Sequence, residues 1–442
     1  MSSWNLVEIS SFLKERKNKM KPEEANNSGL KRIEKIDFNG NIFINHNKLT
    51  NTDMIVVKKG DLVISGINVE KGALAVYEGE KDVVATIHYS AYEFDNSKIN
   101  IDYLKWFLKS KVFLNILKEQ AGGGIKTELK PKKFLPLKIN LPDMDLQRRI
   151  VKNIEEVSIE IRDIVFLIIE NSNYLNKLKE TILKDAIQGK LVPQNPDDEP
   201  ASELLKRIKE EKQKLIAEGR TKKEKPLPPI SNDEIPFELP KGWEWVRLGE
   251  LLYSTDAGKS PDCVGNSVVG NKWGVIKTTA IQQNFFLEDE NKVLPSGFIV
   301  SDSHKININD VLITRAGPKN RVGIVCCVEK IDKNLILSDK TIRIRLSDSL
   351  INHKYISFAL NSSPIRPFIE QKMTGMAESQ VNISQINMRW FPVPIPPLLE
   401  QQRIVKKIDQ IISYCDKLEK SVSDSKKDSE MLTQSVLQEA FK

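Results

Sequence analysis

At 442 residues and 40% hydrophobic, the chain has room for two or three domains with cores of their own. A net charge of +7 and a pI near 8.9 permit an acidic partner, nucleic acid being the commonest, without demanding one. No secretory signal follows MSSWNLVEISSFLKERK, the longest apolar run (Ile164–Ile169) is too short for a bilayer, and the four cysteines (Cys263, Cys326, Cys327, Cys415) form no CxxC, so a soluble cytoplasmic protein without membrane contact, disulfide framework or zinc site is expected.

Residues 1–140 read as a first domain. Short β-branched runs bounded by Gly, Asn and Asp, such as MIVV (Met54–Val57), predict strands of a curved, mostly antiparallel sheet. A helix over Ile101–Lys118 follows. AGGGIKTELKPKK (Ala121–Lys133) then offers a flexible, glycine-rich loop carrying Lys126, Lys130, Lys132 and Lys133, where bare backbone N–H groups can approach phosphates. The Pro-rich exit LPLKINLP is expected to stop any strand and aim the chain into a long helix.

That helix occupies residues 141–190. Ile150, Ile154, Val157, Ile161, Ile164, Ile168, Asn171, Leu175, Leu178 and Ile182 recur at steps of four and three, a heptad stripe of about 38 residues and some 57 Å at 1.5 Å per residue. Val165, Phe166, Leu167 and Ile169 widen the stripe beyond a two-helix seam and are candidates for docking another subunit or the chain's own domain. Residues 191–242 form a linker. Its centre, EPASELLKRIKEEKQKLIAEG, predicts a separate charged helix with Pro200 at its first position, Glu203–Arg207 and Glu210–Lys214 pairs and Gly219 as its cap. KPLPPI (Lys225–Ile230) then serves as a stiff spacer.

Residues 243–395 form a second domain. GIVCCV (Gly323–Val328) and TIRIRL (Thr341–Leu346) predict strands, the latter with Ile342, Ile344 and Leu346 inward and Arg343 and Arg345 outward. ITRAGPKNRVG (Ile313–Gly323) predicts a strand, a Gly-Pro turn and a strand with Arg315, Lys319, Asn320 and Arg321 at the tip, where Arg and Asn suit guanine and adenine edges and Lys suits phosphates. A helix over His353–Gln371 follows. GMAESQVNISQINMR (Gly375–Arg389), at the place equivalent to the earlier lysine loop, adds Gln380, Ser384, Gln385 and Arg389. The exit FPVPIPP leads into a second heptad helix over residues 396–442.

The two halves repeat one another. Displaced by 254 positions, Leu137–Ile187 falls without a gap on Phe391–Phe441, with QRRIVKNI (Gln147–Ile154) against QQRIVKKI (Gln401–Ile408) as the clearest register mark. More faintly, WNLVEISSF answers WEWVRLGEL, GDLVIS (Gly60–Ser65) answers NDVLIT (Asn309–Thr314), and YLKWFLKS (Tyr103–Ser110) answers YISFALNS (Tyr355–Ser362), all in the same order. The stripe alone leaves the direction of helix pairing open. With a long domain between the helices, the topology favours an antiparallel pair.

Catalytic chemistry is not found. GKS (Gly258–Ser260) lacks the first glycine of a phosphate loop, having Tyr253 there. NPDD (Asn195–Asp198) lacks the second proline and the aromatic of an adenine-methyltransferase motif. Pro261-Asp262 with Glu290-Asn291-Lys292 imitates a nuclease pattern too loose to weigh, and the four histidines (His46, His88, His304, His353) have no metal-ligand spacing.

PIPPLLEQQRIVKKI (Pro394–Ile408), AIQGKLVPQNP (Ala186–Pro196) and LPKGWEWVRLGEL (Leu239–Leu251) together resemble the specificity subunit (HsdS) of type I restriction-modification enzymes, with INLPDMDLQRRIV (Ile139–Val151) a weaker form of the first motif. The resemblance implies an α+β chain of two mixed α/β target-recognition domains, with antiparallel-rich sheets, separated by two long antiparallel coiled-coil helices in a pseudo-twofold repeat. Each domain would read one half of a bipartite, asymmetric double-stranded DNA target. The helices would set the spacer and dock two methyltransferase subunits (HsdM), with motor-nuclease subunits (HsdR) in the full complex. The chain itself would hold no cofactor and catalyse nothing, S-adenosylmethionine, ATP and Mg belonging to the partners. Two alternatives are a specificity subunit of a related system without a motor, and a coiled-coil adaptor that does not bind DNA.

Overall fold

The computed structural model describes residues 4–45, 49–67, 71, 73–121, 129–263 and 265–441, without the side chains at 121 and 376. The chain divides into two compact units: residues 1–171 with 421–442, and residues 172–420. This division cuts across the five-part arrangement expected from the sequence, because each long helix contributes to both units.

In the first unit, Asn5–Glu8 pairs antiparallel with Lys138–Leu141, closing the domain's ends. A four-stranded antiparallel sheet runs in the order Leu13–Glu15, Tyr89–Phe94, Leu62–Ser65, Leu74–Val76. A five-stranded sheet joins Lys19–Met20, Met54–Val57, Val83–Thr86, Lys31–Ile36 and Ile42–Asn45, and the pair Lys31–Ile36 with Val83–Thr86 is parallel. The second unit has the corresponding pieces. Glu244–Arg247 pairs with Pro392–Ile395, and a four-stranded sheet runs Ser254–Ala257, Thr341–Arg345, Val311–Thr314, Val325–Cys327. Trp273–Ile276 lies between Asn291–Val293 and a parallel partner, Asn334–Ile336.

Matching local chemistry explains the matching sheets. Gly60 (φ 83°) and Asn309 (φ 68°) both take the left-handed turn just before a strand, and the aspartates that follow, Asp61 and Asp310, accept the backbone N–H three residues back, from Lys58 and Asn307. The buried amides Gln147 and Gln401 also act alike. Each accepts the N–H of a helix-capping asparagine, Asn100 or Asn352, and donates to the carbonyl of a proline five residues back. Those asparagines cap Ile101–Lys109 and His353–Asn361 through the N–H of Tyr103 and Tyr355.

Four sequence expectations change. The single helices expected over 101–118 and 353–371 each break, at Ser110 and Ser362, where the hydroxyl bonds back to the carbonyl three residues earlier and ends the helix. Pro392 and Pro394 do not stop a strand. They alternate along Pro392–Ile395, which has a single partner strand, so their missing N–H groups disturb no ladder. Arg343 is fully buried, not outward, because the Ser303–Lys305 stretch covers that part of the outer face of its strand. Its guanidinium is held by Asp256, Asp310 and the carbonyls of Ser303 and Lys305. Arg345 does face solvent.

The fourth concerns the linker. Its helix, Ala201–Ala217, is charged but not separate from the domain: Ala201, Leu204 and Ile208 are buried, and Lys212 donates to the carbonyl of Gly249. Pro200 caps it from outside, Gly219 ends it at φ 67°, and Glu203 pairs with Lys206 instead of Arg207. The proline stretch after it is strapped down by the buried Arg247, which donates to the carbonyls of Pro228 and Pro229 and pairs with Glu234 at 2.6 and 2.8 Å.

The long helices, Met144–Ile187 and Leu398–Ala440, run 44 and 43 residues, longer than the heptad stripes suggested. In the first unit the start of the former (Ile150, Val151, Ile154) shares a core with the end of the latter (Leu437) and with Phe441 just beyond it. In the second unit Lys179 of the former meets Asp416 and Glu419 of the latter at 3.0 and 2.9 Å. Early residues of one thus meet late residues of the other, which makes the pair antiparallel. Between Ile154 and Ile182 burial follows every seventh residue instead of every third and fourth: Ile154, Ile161, Ile168, Leu175 and Ile182 are buried, whereas Ile164 and Leu178 of the same stripe are exposed. A pair of helices covers one line of the stripe and leaves the other bare.

Candidate nucleic-acid interface

In the second unit two stretches far apart in sequence come together. Ala316–Gly317 pairs with Gln380–Asn382, which pairs with Thr374–Ala377, forming a three-stranded patch beyond the end of Val311–Thr314. Backbone bonds from Ile383 to Arg315 and from Lys319 to Glu378 fasten it. On this patch Arg315 spends one weak bond, 3.3 Å to Asn382 Oδ1, and keeps the rest of its fork. Asn320 and Gln380 are exposed beside it, and Gln385 is half-buried. Asn382, which lies in the Gly375–Arg389 stretch but was not singled out from the sequence, emerges as the partner that orients Arg315.

The other candidates are more committed. Lys319 faces Glu370 and Glu378, both at 3.8 Å, which leaves little net charge for a phosphate. Arg321 is turned into the domain. It donates to the carbonyls of Thr278 and Ile281 at 3.0 and 2.8 Å and to Gln282 Oε1 at 3.1 Å, so its fork is spent on the scaffold and not offered to a base. Ser384 caps the short helix Gln385–Met388 through the N–H of Asn387. Arg389 holds the linker, through Glu224 at 2.9 Å and the carbonyl of Lys225.

In the first unit Lys126 lies outside the described residues. Lys130, Lys132 and Lys133 are exposed on and before the short helix Pro131–Phe134. The backbone bond from Leu129 to Gly66 repeats the one from Ile383 to Arg315, so glycine stands in the first unit where the second has Arg315.

The sequence reading also missed a cavity of about 310 Å³ lined by Lys277, Lys292, Lys340, Ser260 and Cys263. It abuts the patch through the Arg315 N–H bonded to the Lys340 carbonyl. Ser260 and Asp339 hydrogen-bond across its rim, and a Cβ on Gly258 would collide with the Leu337 carbonyl. The GKS triplet therefore lies pressed against the Leu337 backbone, without the loop that a phosphate cradle needs. Burial raises the Cys263 thiol above its ordinary range, which disfavours the thiolate. Among the described residues no His, Cys, Asp and Glu cluster fit for a metal is found, and no helix is long and apolar enough to cross a membrane.

The motifs that carry the family resemblance act as clamps. Trp243 donates its indole N–H to Glu400, and Arg403 binds Asp198 of NPDD. A Cβ on Gly189 of AIQGK would strike Pro240 and crowd Trp243. Phe166, Leu167 and Ile169 are 59%, 56% and 55% exposed on the first long helix, and Val165 is half-buried.

Residues 240–425 match the family model described as the type I restriction modification DNA specificity domain. The chain is similar to the EcoEI specificity subunit of Escherichia coli (49% identity over 55% of this chain and 41% of that one) and to the EcoAI specificity subunit of Escherichia coli (34% over 57% and 42%). The matched stretch thus spans less than half the length of either relative. A solved structure described as "Structural basis underlying complex assembly and conformational transition of the type I R-M system" shares the fold, with a TM-score of 0.67 at 18% identity over 99% of this chain and 97% of that one. Over about half its length, then, the chain is similar to specificity subunits of type I restriction enzymes, and residues 240–425 carry the match to their DNA specificity domain.

Proposed function

We propose that the chain reads DNA for a type I restriction-modification complex, each unit's domain recognising one half of a bipartite double-stranded target. The observation that carries this reading is the three-stranded patch in the second unit. It sits within the stretch matched by the DNA specificity domain and gathers Gln380 on a strand, Arg315 at the start of its neighbour and Asn320 on the adjoining turn. Forked and amide side chains held on paired strands suit base edges in a major groove. The exposed lysines at 130, 132 and 133 suit the backbone of the other half-site.

The long helices set the spacer, and their bare apolar line, with Phe166, Leu167 and Ile169, receives the two methyltransferase subunits. S-adenosylmethionine, ATP and Mg act on those partners and on the motor-nuclease subunits; this chain supplies recognition and no chemistry. Mapping methylated adenines in a genome with and without the gene tests this reading. Loss of one bipartite methylation pattern is expected. Unchanged methylation, together with no duplex binding by the chain and its partners, would leave the adaptor reading in its place.

A further inference from the structure

In the first unit the hairpin between Lys31–Ile36 and Ile42–Asn45 is docked on the helix Ile101–Lys109 by two lysines. Lys105 Nζ donates to the Asn39 carbonyl at 2.5 Å, and Lys109 Nζ donates to the Phe38 carbonyl at 2.9 Å. The turn has no room for another residue at Gly40: its φ is 93°, and a Cβ there would lie 3.1 Å from Lys105 Nζ and from the Leu74 carbonyl. Asp37 is occupied with its own turn, accepting from the N–H groups of Asn39 and Asn41 and from the Asn41 amide. Among the described residues no carboxylate is within ion-pair distance of Lys105 or Lys109. Phe38 is 48% exposed with Lys71 over its ring, and Trp106 lies under Lys109.

The second unit performs the same docking without charge. Ser357 and Asn361 occupy the positions of Lys105 and Lys109 in the repeat, and both donate to Asn284 Oδ1, at the turn between Ile281–Gln282 and Phe285–Phe286. Neutral groups therefore suffice to hold a turn on this helix. Two neighbouring ammonium groups, each with three donors and only one spent on a carbonyl, are more than the fold requires. Partial burial and their mutual repulsion lower Lys109 to about 8, a cost that an anion seated between them would relieve. The first unit also lacks an arginine at the position of Arg315, Gly66 standing there, so its contacts must come from elsewhere.

We infer that Lys105 and Lys109, with Phe38 beside them, form a phosphodiester-binding site through which the first unit grips the DNA backbone. The inference rests on the DNA-reading function proposed above and places a contact in a unit whose expected loop lay further along the chain. The ligand is a backbone phosphate, held by the spare ammonium donors with its sugar against Phe38, and it carries no sequence information.

The test is fluorescence anisotropy of the full chain with a random-sequence duplex over a salt series of about 50 to 200 mM. The double variant Lys105→Gln, Lys109→Gln keeps a side-chain donor for each carbonyl. It should bind more weakly, with the slope of log affinity against log salt reduced by roughly 0.9 for each phosphate no longer neutralised. Lys105→Arg, Lys109→Arg should restore the slope, a rescue that a merely structural role would not give. Equal slopes for wild type and the glutamine variant, with folding intact by circular dichroism, overturn the site and leave DNA reading standing. A wild-type chain with no affinity for any duplex removes both. If the double glutamine variant unfolds, the single variants Lys105→Gln and Lys109→Gln decide: a slope reduced in either supports the site, and a wild-type slope in both, with folding intact, overturns it.

Discussion

Arg315 and Arg321 lie six residues apart on one turn, yet their replacement by alanine should have opposite consequences. Arg321 makes three internal bonds, to two carbonyls and one amide oxygen, and its truncation strands all three acceptors. At about 0.5 to 1.5 kcal/mol for each bond, the range for an ordinary hydrogen bond and a lower bound for a charged donor, three bonds make Arg321→Ala cost roughly 2 to 4 kcal/mol of stability. For a domain of this size that is a melting-point drop of roughly 5 to 15 °C. Arg315 makes one long bond, so Arg315→Ala should change stability by less than about 1 kcal/mol. It should instead weaken one half-site by about 1 to 3 kcal/mol, roughly 5- to 150-fold, and relax base preference at a single position there. Thermal unfolding of the chain and methylation of a target library by the assembled complex measure the two effects side by side. If Arg321→Ala melts like wild type while losing one half-site, or if Arg315→Ala weakens every sequence equally, the assignment of readers and scaffold is wrong.

Inserting one heptad into both long helices at the same level keeps the every-seventh-residue seam in phase and lengthens the pair by about 10 Å, or roughly three base pairs; the methylated target should gain that spacer with unchanged half-sites, and an altered half-site would refute the spacing role. Replacing Phe166 and Leu167 with Glu should leave the fold intact by circular dichroism and reduce co-purification with the methyltransferase subunits; unchanged co-purification would show that these side chains do not dock them. Arg247 holds the Glu234 carboxyl down to about 2, below its ordinary value of 4.5. A depressed carboxyl stabilises the fold fully above about pH 4.5 and loses that contribution as the pH falls towards 2. Glu234→Gln should therefore lower the melting point at pH 7 and flatten its decline between those values, and a decline as steep as wild type would acquit this pair.

The features legible in the sequence were those with a period or an offset. Gln147 and Gln401 marked the register of the repeat because they do the same work twice, bonding a helix cap and a proline carbonyl. The two polar stretches around 315 and 380 were legible separately, since Gly, Asn and Arg in turns are conspicuous. Their pairing into one sheet was not, because it depends on a crossover of some sixty residues that no local pattern encodes. Arg343 misled for a related reason. Alternation places a side chain on one face of a strand but cannot tell that both faces are covered, and Asp256 and Asp310, which make its burial tolerable, come from other strands. The heptad stripes overstated the seam because a 3–4 period specifies an apolar band and not the number of helices that will cover it.

The duplication explains why the unmatched residues are the informative ones. A scaffold used twice must keep the groups that hold it: Gly60 and Asn309 at the same left-handed turn, Asp61 and Asp310 behind them, Asn100 and Asn352 on the same helix end. On the function proposed above, the two halves read different sequences and must differ at what faces the ligand. Gly66 against Arg315 and Lys105 with Lys109 against Ser357 with Asn361 are such differences, each at a position whose backbone or docking bond is preserved. Where the bond survives and only the charge changes, the charge has been released from structural duty, and recognition is the use that the second unit's exposed patch suggests for it.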